Sequence, residues 1–398
     1  MFIRFIPIIL FLVGLLVYVG WHVWAVVPLP IWAKWTLVGI GLLCFALEFV
    51  GFTPLMNRLP LGLASAVYNV GNKTLIILCY TVMAFLLLDL GRLVHLVPRT
   101  MLHDSLPTSV GMTVLMAIVF VYAGIHYNNK KRVAIDLDSG GRTERPLTLV
   151  MASDLHIGYH NRRANLARWV DLINAEKPDL VLIAGDIIDF SFRPVIEEDM
   201  AAEFRRIEAP VYACLGNHEY IAGEPDAERF YREAGINLLI DSAVCVDGIT
   251  IIGRDDRSNK RRKTLKEFDI DDSAYTILLD HQPYHLEEAE QCGIDFQLSG
   301  HTHRGQIWPV SWITDALYEC SWGSHQRGNT RYYVSSGLGI WGAKFRIGTQ
   351  SEYVVAKLNG ERRTENGERR TESGELRTEN GERGTESGER ADAVALTN

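Results

Sequence analysis

The chain of 398 residues has no excess of positive charge, with 40 Lys and Arg against 48 Asp and Glu and a formal net charge of −8. A nucleic-acid binder held by overall basicity is thereby excluded, because neutralisation of phosphates by Lys and Arg supplies most of such binding. The six cysteines, at 44, 79, 214, 245, 292 and 320, include no C-x-x-C pair and no regular spacing. That lack argues against a disulfide framework or a zinc ribbon and fits reduced, buried thiols. Acids are nearly missing from residues 1–132, which hold three against nine Lys and Arg. Residues 133–358 hold 35 against 24, and the last forty hold ten against seven, so three kinds of polypeptide are joined in one chain. Apolar positions are missing from the heptapeptide that recurs from 359, Asn or Ser followed by Gly-Glu-x-x-Thr-Glu. A coiled coil needs two apolar positions in seven, so 359–398 is predicted to be a disordered tail.

What is present first is hydrocarbon. Apolar stretches at about 5–27, 31–52, 74–91 and 109–127 each approach the roughly 20 residues that cross about 30 Å of bilayer core. They predict four transmembrane helices over 1–127, the first an uncleaved anchor because three more come after it. Trp21, Trp24, Trp32 and Trp35 flank a short connection and form an interfacial belt. With the amino terminus inside, that side carries Arg4, Arg58, Lys73, Lys130, Lys131 and Arg132, and the other only Lys34, Arg92 and Arg99. This asymmetry predicts an inner- or plasma-membrane protein with a cytoplasmic carboxy-terminal domain. Glu48 and Asp89 are the acids within the spans, and helix-end snorkelling or local pairing, for Asp89 with Arg92 one turn away, is favoured over a transport role.

Residues 128–146 read as a basic linker, and 147–358 as a domain of alternating strands and helices. Buried strands are predicted over 147–154, 179–186, 211–217, 276–281 and 296–301, with further strands at 249–253, 331–336 and 353–358. Helices are predicted over 161–177, 197–207, 225–234 and 284–292. The first five strands end in Asp154-Leu-His156, Gly185-Asp186-Ile-Ile-Asp189, Gly216-Asn217-His218-Glu219, His281 and Gly300-His301-Thr-His303. Side chains at the carboxyl ends of strands in an α/β sheet converge on one edge. Imidazole, carboxylate and amide oxygen are ligands for borderline-to-hard divalent ions. One histidine on an apolar strand is ordinarily a core residue; five ordered clusters are not.

These elements resemble the calcineurin-like metallophosphoesterase superfamily, whose pattern is D-x-H, G-D-x-x-D, G-N-H-D/E, a lone H and G-H-x-H. Within it, 153–156, 300–303 and 335–339 are most similar to bacterial membrane-associated phosphodiesterases, a group with relatives that cleave the pyrophosphate of UDP-2,3-diacylglucosamine. The resemblance implies a four-layer α/β/β/α sandwich behind the membrane helices. It also implies two divalent ions, manganese first, with iron or zinc as alternatives. Asp154, His156, Asp186 and His303 would hold one ion, and Asp186, Asn217, His281 and His301 the other. Asp186 would bridge them, and the pair would clamp the attacking and leaving oxygens of an in-line displacement. His218 would be catalytic, stabilising phosphoryl charge or protonating the leaving oxygen.

Glu219 and Asp189 are left between orienting neighbouring groups and capping turns. His160, His285 and His325 read as surface or capping residues, and Arg304 as either a phosphate-binding or a solvent-facing guanidinium. Trp308, Trp312, Tyr318 and Trp322, crowded between 306 and 330, suit a wall for an acyl chain, a dip into the membrane interface, or a self-packed loop. Seven basic residues between Arg254 and Lys266 suit anionic headgroups, a nucleotide phosphate or a solvated turn. The expected protein is a membrane-anchored phosphohydrolase acting on a phosphodiester or pyrophosphate, in a lipid-linked or nucleotide substrate. The alternatives are a phosphomonoesterase, and a sensor or transporter with a ligand-binding domain of this type.

Overall fold

The computed structural model describes residues 6–360 and the dipeptides 362–363 and 369–370; the rest of the tail expected to be disordered lies outside the described residues. Four apolar helices come first, α1 (Ile6–Val26), α2 (Ile31–Val50), α3 (Leu61–Leu93) and α4 (Leu106–Asn128). By length and hydropathy α2, α3 and α4 suffice to cross a membrane, and α1, of 21 residues, offers the shorter apolar length Leu10–Val26 among the described residues. At 33 residues α3 begins well before position 74, because Ser65, Asn69, Asn72 and Lys73 dilute its hydropathy while still continuing the helix. Asp89 pairs across the bundle instead of with Arg92: the Tyr18 hydroxyl donates to it at 2.7 Å, and His22 Nε2 lies 2.9 Å away.

The stretch read as a linker is corrected by a strand, β1 (Lys131–Leu137), which starts three residues after α4 ends. Val133, Ile135 and Leu137 alternate with Arg132, Ala134 and Asp136, the period of an edge strand with one buried face. The other strands are β2 (Leu147–Ala152), β3 (Leu180–Ala184), β4 (Val211–Cys214), β5 (Ile236–Leu238), β6 (Ser242–Val246), β7 (Ile249–Gly253), β8 (Tyr275–Leu279), β9 (Phe296–Ser299), β10 (Gly323–Arg327), β11 (Thr330–Val334) and β12 (Glu352–Leu358). They form two six-stranded sheets, ordered β1-β12-β2-β3-β4-β5 and β10-β11-β9-β8-β7-β6, and within the tail expected to be disordered Arg362–Arg363 and Arg369–Arg370 pair as a two-stranded antiparallel ribbon. In the first, β2 to β5 are parallel; in the second, β7, β8, β9 and β11 are.

Alternation along the strands divides the core. Leu149, Met151, Leu182, Ile277, Leu298 and Val354 pack between the sheets. Val150, Ala152, Val181 and Ile183 point outward, against Trp169, Phe204 and Phe230 of α5 (Arg163–Ala175), α7 (Met200–Phe204) and α9 (Glu224–Glu233). On the far side Ile252, Leu278 and Val334 meet Leu286 and Ala289 of α10 (Leu286–Gln291). Helix, sheet, sheet and helix make the four-layer α/β/β/α sandwich. The short helices α6 (Arg193–Glu197), α8 (Asn217–Ala222) and α11 (Val310–Leu317) complete it. The helix expected over 197–207 is divided between α6 and α7 by Asp199, whose φ of 48° breaks the turn.

The apolar helices are docked on this domain. The Tyr127 hydroxyl of α4 donates to Asn161 Oδ1 at 2.6 Å. The Arg193 guanidinium donates to the carbonyls of Met56 and Leu59 in the segment before α3. Phe120 and Phe345 pack with ring centres 4.9 Å apart, and Tyr80 donates to the Trp308 carbonyl.

Candidate metal centre

Strands β2, β3, β4, β8 and β9 deliver short loops to one edge of the sandwich, and the loops turn sharply. Asp154, His156, Asp186, His301 and His303 have φ between 45° and 70°. This left-handed region costs a side-chain-bearing residue roughly 1–3 kcal/mol and clusters at functional sites. The glycines of two motifs are required by close approach. A Cβ on Gly216 would overlap Asp186 Oδ1, and one on Gly300 would overlap Asp154 Oδ2.

The side chains of Asp154, His156 and His303 bring ligand atoms within 4.8 Å of one another, and so do those of Asp186, His281 and His301. His156 Nε2 lies 3.1 Å from His303 Nε2 and 3.6 Å from Asp186 Oδ2. His303 Nε2 is 3.3 Å from Asp154 Oδ1. On the other side His281 Nε2 is 3.1 Å from the same Asp186 Oδ2, and Asn217 Oδ1 lies 2.8 Å from His301 Nδ1. Asp186 thus faces both groups. His218 stands at their edge, its ring centre 4.5 Å from that of His156 and its backbone N–H donating to Asp186 Oδ1 at 2.9 Å.

Whether these residues suit metal is a question of donor chemistry. The His281 Nδ1–H donates to the Ala184 carbonyl at 2.7 Å, which leaves the Nε2 lone pair facing Asp186, buried and without a hydrogen-bond partner. Carboxylates and the Nε2 atoms of three imidazoles crowd together in a buried place, an arrangement that a bound cation would stabilise. The carboxylates draw positive charge to this place: burial pushes the His156 imidazole down, yet Asp154 and Asp189 pull it up to about 10. Burial pushes the Asp154 carboxyl up, and His303 and His156 overcome it and hold it low. The donor set of imidazoles, carboxylates and one amide, with no thiolate, fits a pair of divalent ions.

Around this centre the structure places residues that sequence reasoning left open or missed. The Glu219 carboxylate accepts backbone N–H bonds from Gly216, Asp186 and Ile188 at 2.8 to 3.1 Å, tying two ligand loops together. Asp189 Oδ1 faces His156 Nδ1 at 3.4 Å and His218 Nδ1 at 3.6 Å, and its carbonyl accepts from His218 Nδ1 at 3.3 Å. His160, expected at the surface, is 2% exposed, with Nδ1 3.5 Å from Asp189 Oδ2. Arg346, which no motif marked, is fully buried and donates to the carbonyls of His303, Ser336 and Gly339. Arg304 stacks on Trp322 at 4.3 Å, while His285 and His325 pair with Glu287 and Glu319 away from the centre. Two residues of the basic run are neutralised, Arg254 and Arg262 both meeting Asp280.

Residues 147–305 match the family model described as calcineurin-like phosphoesterase. The chain is 29% identical over 262 residues to an uncharacterized metallophosphoesterase of Campylobacter jejuni, covering 63% of this chain and 69% of that one. It is 30% identical over 247 residues to one of Helicobacter pylori, covering 60% and 65%. A Danio rerio protein named as a transmembrane protein with metallophosphoesterase domain is 27% identical over 263 residues, 60% of each chain. This chain therefore spans 60% to 69% of the length of these three relatives.

Proposed function

We propose, because this chain carries a calcineurin-like phosphoesterase domain and with it the character of a metal-dependent phosphoesterase, that it hydrolyses a phosphodiester or pyrophosphate bond in a lipid-linked substrate at the membrane surface. Asp154, His156, Asp186 and His303 would hold one divalent ion, and Asp186, Asn217, His281 and His301 a second, with manganese the first candidate. When bound, such a pair supplies charge neutralisation and an activated water for in-line displacement at phosphorus. The observation that carries the reading is the single Asp186 Oδ2 lying 3.6 Å from His156 Nε2 and 3.1 Å from His281 Nε2, so that one carboxylate serves both groups.

His218 has its own task. Its Nδ1–H is taken by the Asp189 carbonyl at 3.3 Å, which leaves Nε2 to hold or give a proton at the reacting group. Burial pushes this imidazole down, so with Nδ1–H engaged its Nε2 rests as a lone pair; that atom would first take up a proton, and only the resulting imidazolium would donate to a phosphoryl or leaving oxygen.

The segment after His303 supports the lipid part of the reading. Seven residues on, α11 begins, and it presents Trp312, Ile313 and Leu317 outward, 65%, 57% and 71% exposed. Its start is tied to α3 through Tyr80 and the Trp308 carbonyl, which puts this apolar face beside helices suited to hydrocarbon. A headgroup held in the membrane surface would reach the ligand loops without leaving the bilayer.

The test is hydrolysis by the full chain in lipid nanodiscs with Mn²⁺, comparing an activated aryl phosphodiester with the matching monoester. The expected result is preference for the diester, abolished by a chelator. Preference for the monoester makes the protein a phosphatase, and no turnover of either with metal bound makes the domain a ligand sensor.

A further inference from the structure

The first turns of α3 reach the candidate metal centre. Tyr68, early in α3, is 2% exposed, and its hydroxyl donates to Asp189 Oδ2 at 2.7 Å. Among the described residues this is the one hydrogen bond made to the Asp189 carboxylate; Oδ1 has no partner of bonding geometry and only faces the rings of His156 and His218. The Tyr68 ring lies nearly parallel to that of His160, with centres 5.4 Å apart and 27° between planes, and packs with Met56, Ala64 and Tyr159.

We propose that Tyr68 is a positioning residue of the metal centre, a hydroxyl contributed by the membrane-proximal helix that fixes the Asp189 carboxylate and, through it, the rings of His156, His160 and His218. The proposal rests on the dinuclear reading above. A carboxylate rotates about its Cβ–Cγ bond with little resistance, and one donor on Oδ2 settles that rotation. With Oδ2 held, Oδ1 is directed at His156 Nδ1, which turns the opposite nitrogen, Nε2, toward Asp154 and Asp186. Partners of metal-binding imidazoles act in this way, setting ring orientation and basicity at the metal-facing nitrogen. A second helix supports the same loop: Tyr127 of α4 donates to Asn161 Oδ1 at 2.6 Å, and Asn161 Nδ2 donates to the Leu155 and His156 carbonyls at 3.1 and 3.2 Å. The bundle and the centre are therefore one device, and a displacement of α3 relative to the domain is felt first at Asp189.

Tyr68→Phe tests this in the full chain in nanodiscs, since it keeps the ring, its stacking and the packing of α3 while removing the donor. Mn²⁺ binding is followed by electron paramagnetic resonance, which reports both affinity and the coupling of paired ions. The expected outcome is a folded chain whose thermal midpoint falls by a few degrees, as one lost donor to a buried carboxylate implies, Mn²⁺ affinity weakened by about 10–100-fold, an altered coupled spectrum, and a lower kcat with KM unchanged. Tyr80→Phe, which removes a hydroxyl from the same helix remote from Asp189, is expected to retain wild-type Mn²⁺ binding. Wild-type affinity, spectrum and kcat in Tyr68→Phe would overturn the proposal, as would an equal loss of Mn²⁺ binding in Tyr80→Phe. Failure of the wild type itself to bind a coupled Mn²⁺ pair would instead overturn the dinuclear reading, and the positioning role with it.

Discussion

Asp186 and His218 are separated by chemistry that two substitutions can read. Asp186→Asn keeps the shape but removes the negative charge that faces His156 and His281. Metal content is expected to fall below two ions per chain and turnover to fall by more than the roughly 10–100-fold that outlying partners cost; full activity with two ions would remove the bridging role. His218→Asn is expected to keep both ions and lose about 10²–10⁴ in kcat, the range of a positioned proton donor or acceptor. Elemental analysis beside a rate measurement separates the two. These residues were legible because each stands in a short motif at the end of a strand, where an apolar run stops at Asp, Asn or His. Tyr68, His160 and Arg346 were not, for a reason that is also physical. Tyr68 sits in the polar first turns of α3, ahead of the apolar stretch at 74–91 and in no motif, and the burial of His160 and Arg346 depends on loops that return from distant sequence.

At the scale of elements, period and length decided what could be read. The strands that end at the centre are short uninterrupted apolar runs, whereas β1 was hidden by its charges: Arg132 and Asp136 on the solvent side of an edge strand, with Lys131 exposed at its first position, outweigh Val133, Ile135 and Leu137 in composition. Helix α11 was hidden by the aromatics in and around it, which count equally for a loop, a lid or a helix until the inward Ser311 and the outward Trp312, Ile313 and Leu317 are separated. If this outward face meets acyl chains, the double substitution Trp312→Glu and Ile313→Glu is expected to slow hydrolysis of a lipid-linked pyrophosphate in bilayers by about tenfold, equivalent to about 1.4 kcal/mol of lost apolar burial. Turnover of a water-soluble aryl diester is expected to stay within about twofold of wild type. Equal loss with both substrates would make α11 a support of the domain and not a membrane contact.

The whole molecule is less divisible than its composition suggests. The charge partition between residues 1–132 and the rest reads as an anchor, a tether and a free enzyme, but only Asn129 and Lys130 lie between α4 and β1, and Lys130 is pinned there over the rings of Tyr127 at 3.5 Å and Trp169 at 5.3 Å. Two fragments separate the contributions of β1 and of the helices. A fragment beginning at 147 lacks β1 and leaves the long, largely buried β12 as an open edge along the seven residue pairs it makes with that strand; it is expected to aggregate or melt well below the full chain. A fragment beginning at 129 restores the edge and is expected to fold, yet it lacks the Tyr68 hydroxyl at Asp189 and the Tyr127 hydroxyl at Asn161. Its Mn²⁺ affinity is expected to be weaker than that of the full chain by at least the 10–100-fold assigned to one such partner, measured at equal ionic strength with its fold checked by circular dichroism. Equal affinity in the fragment and the full chain would mean that the helices anchor the domain without completing its centre, and the soluble part could then be treated as a free enzyme.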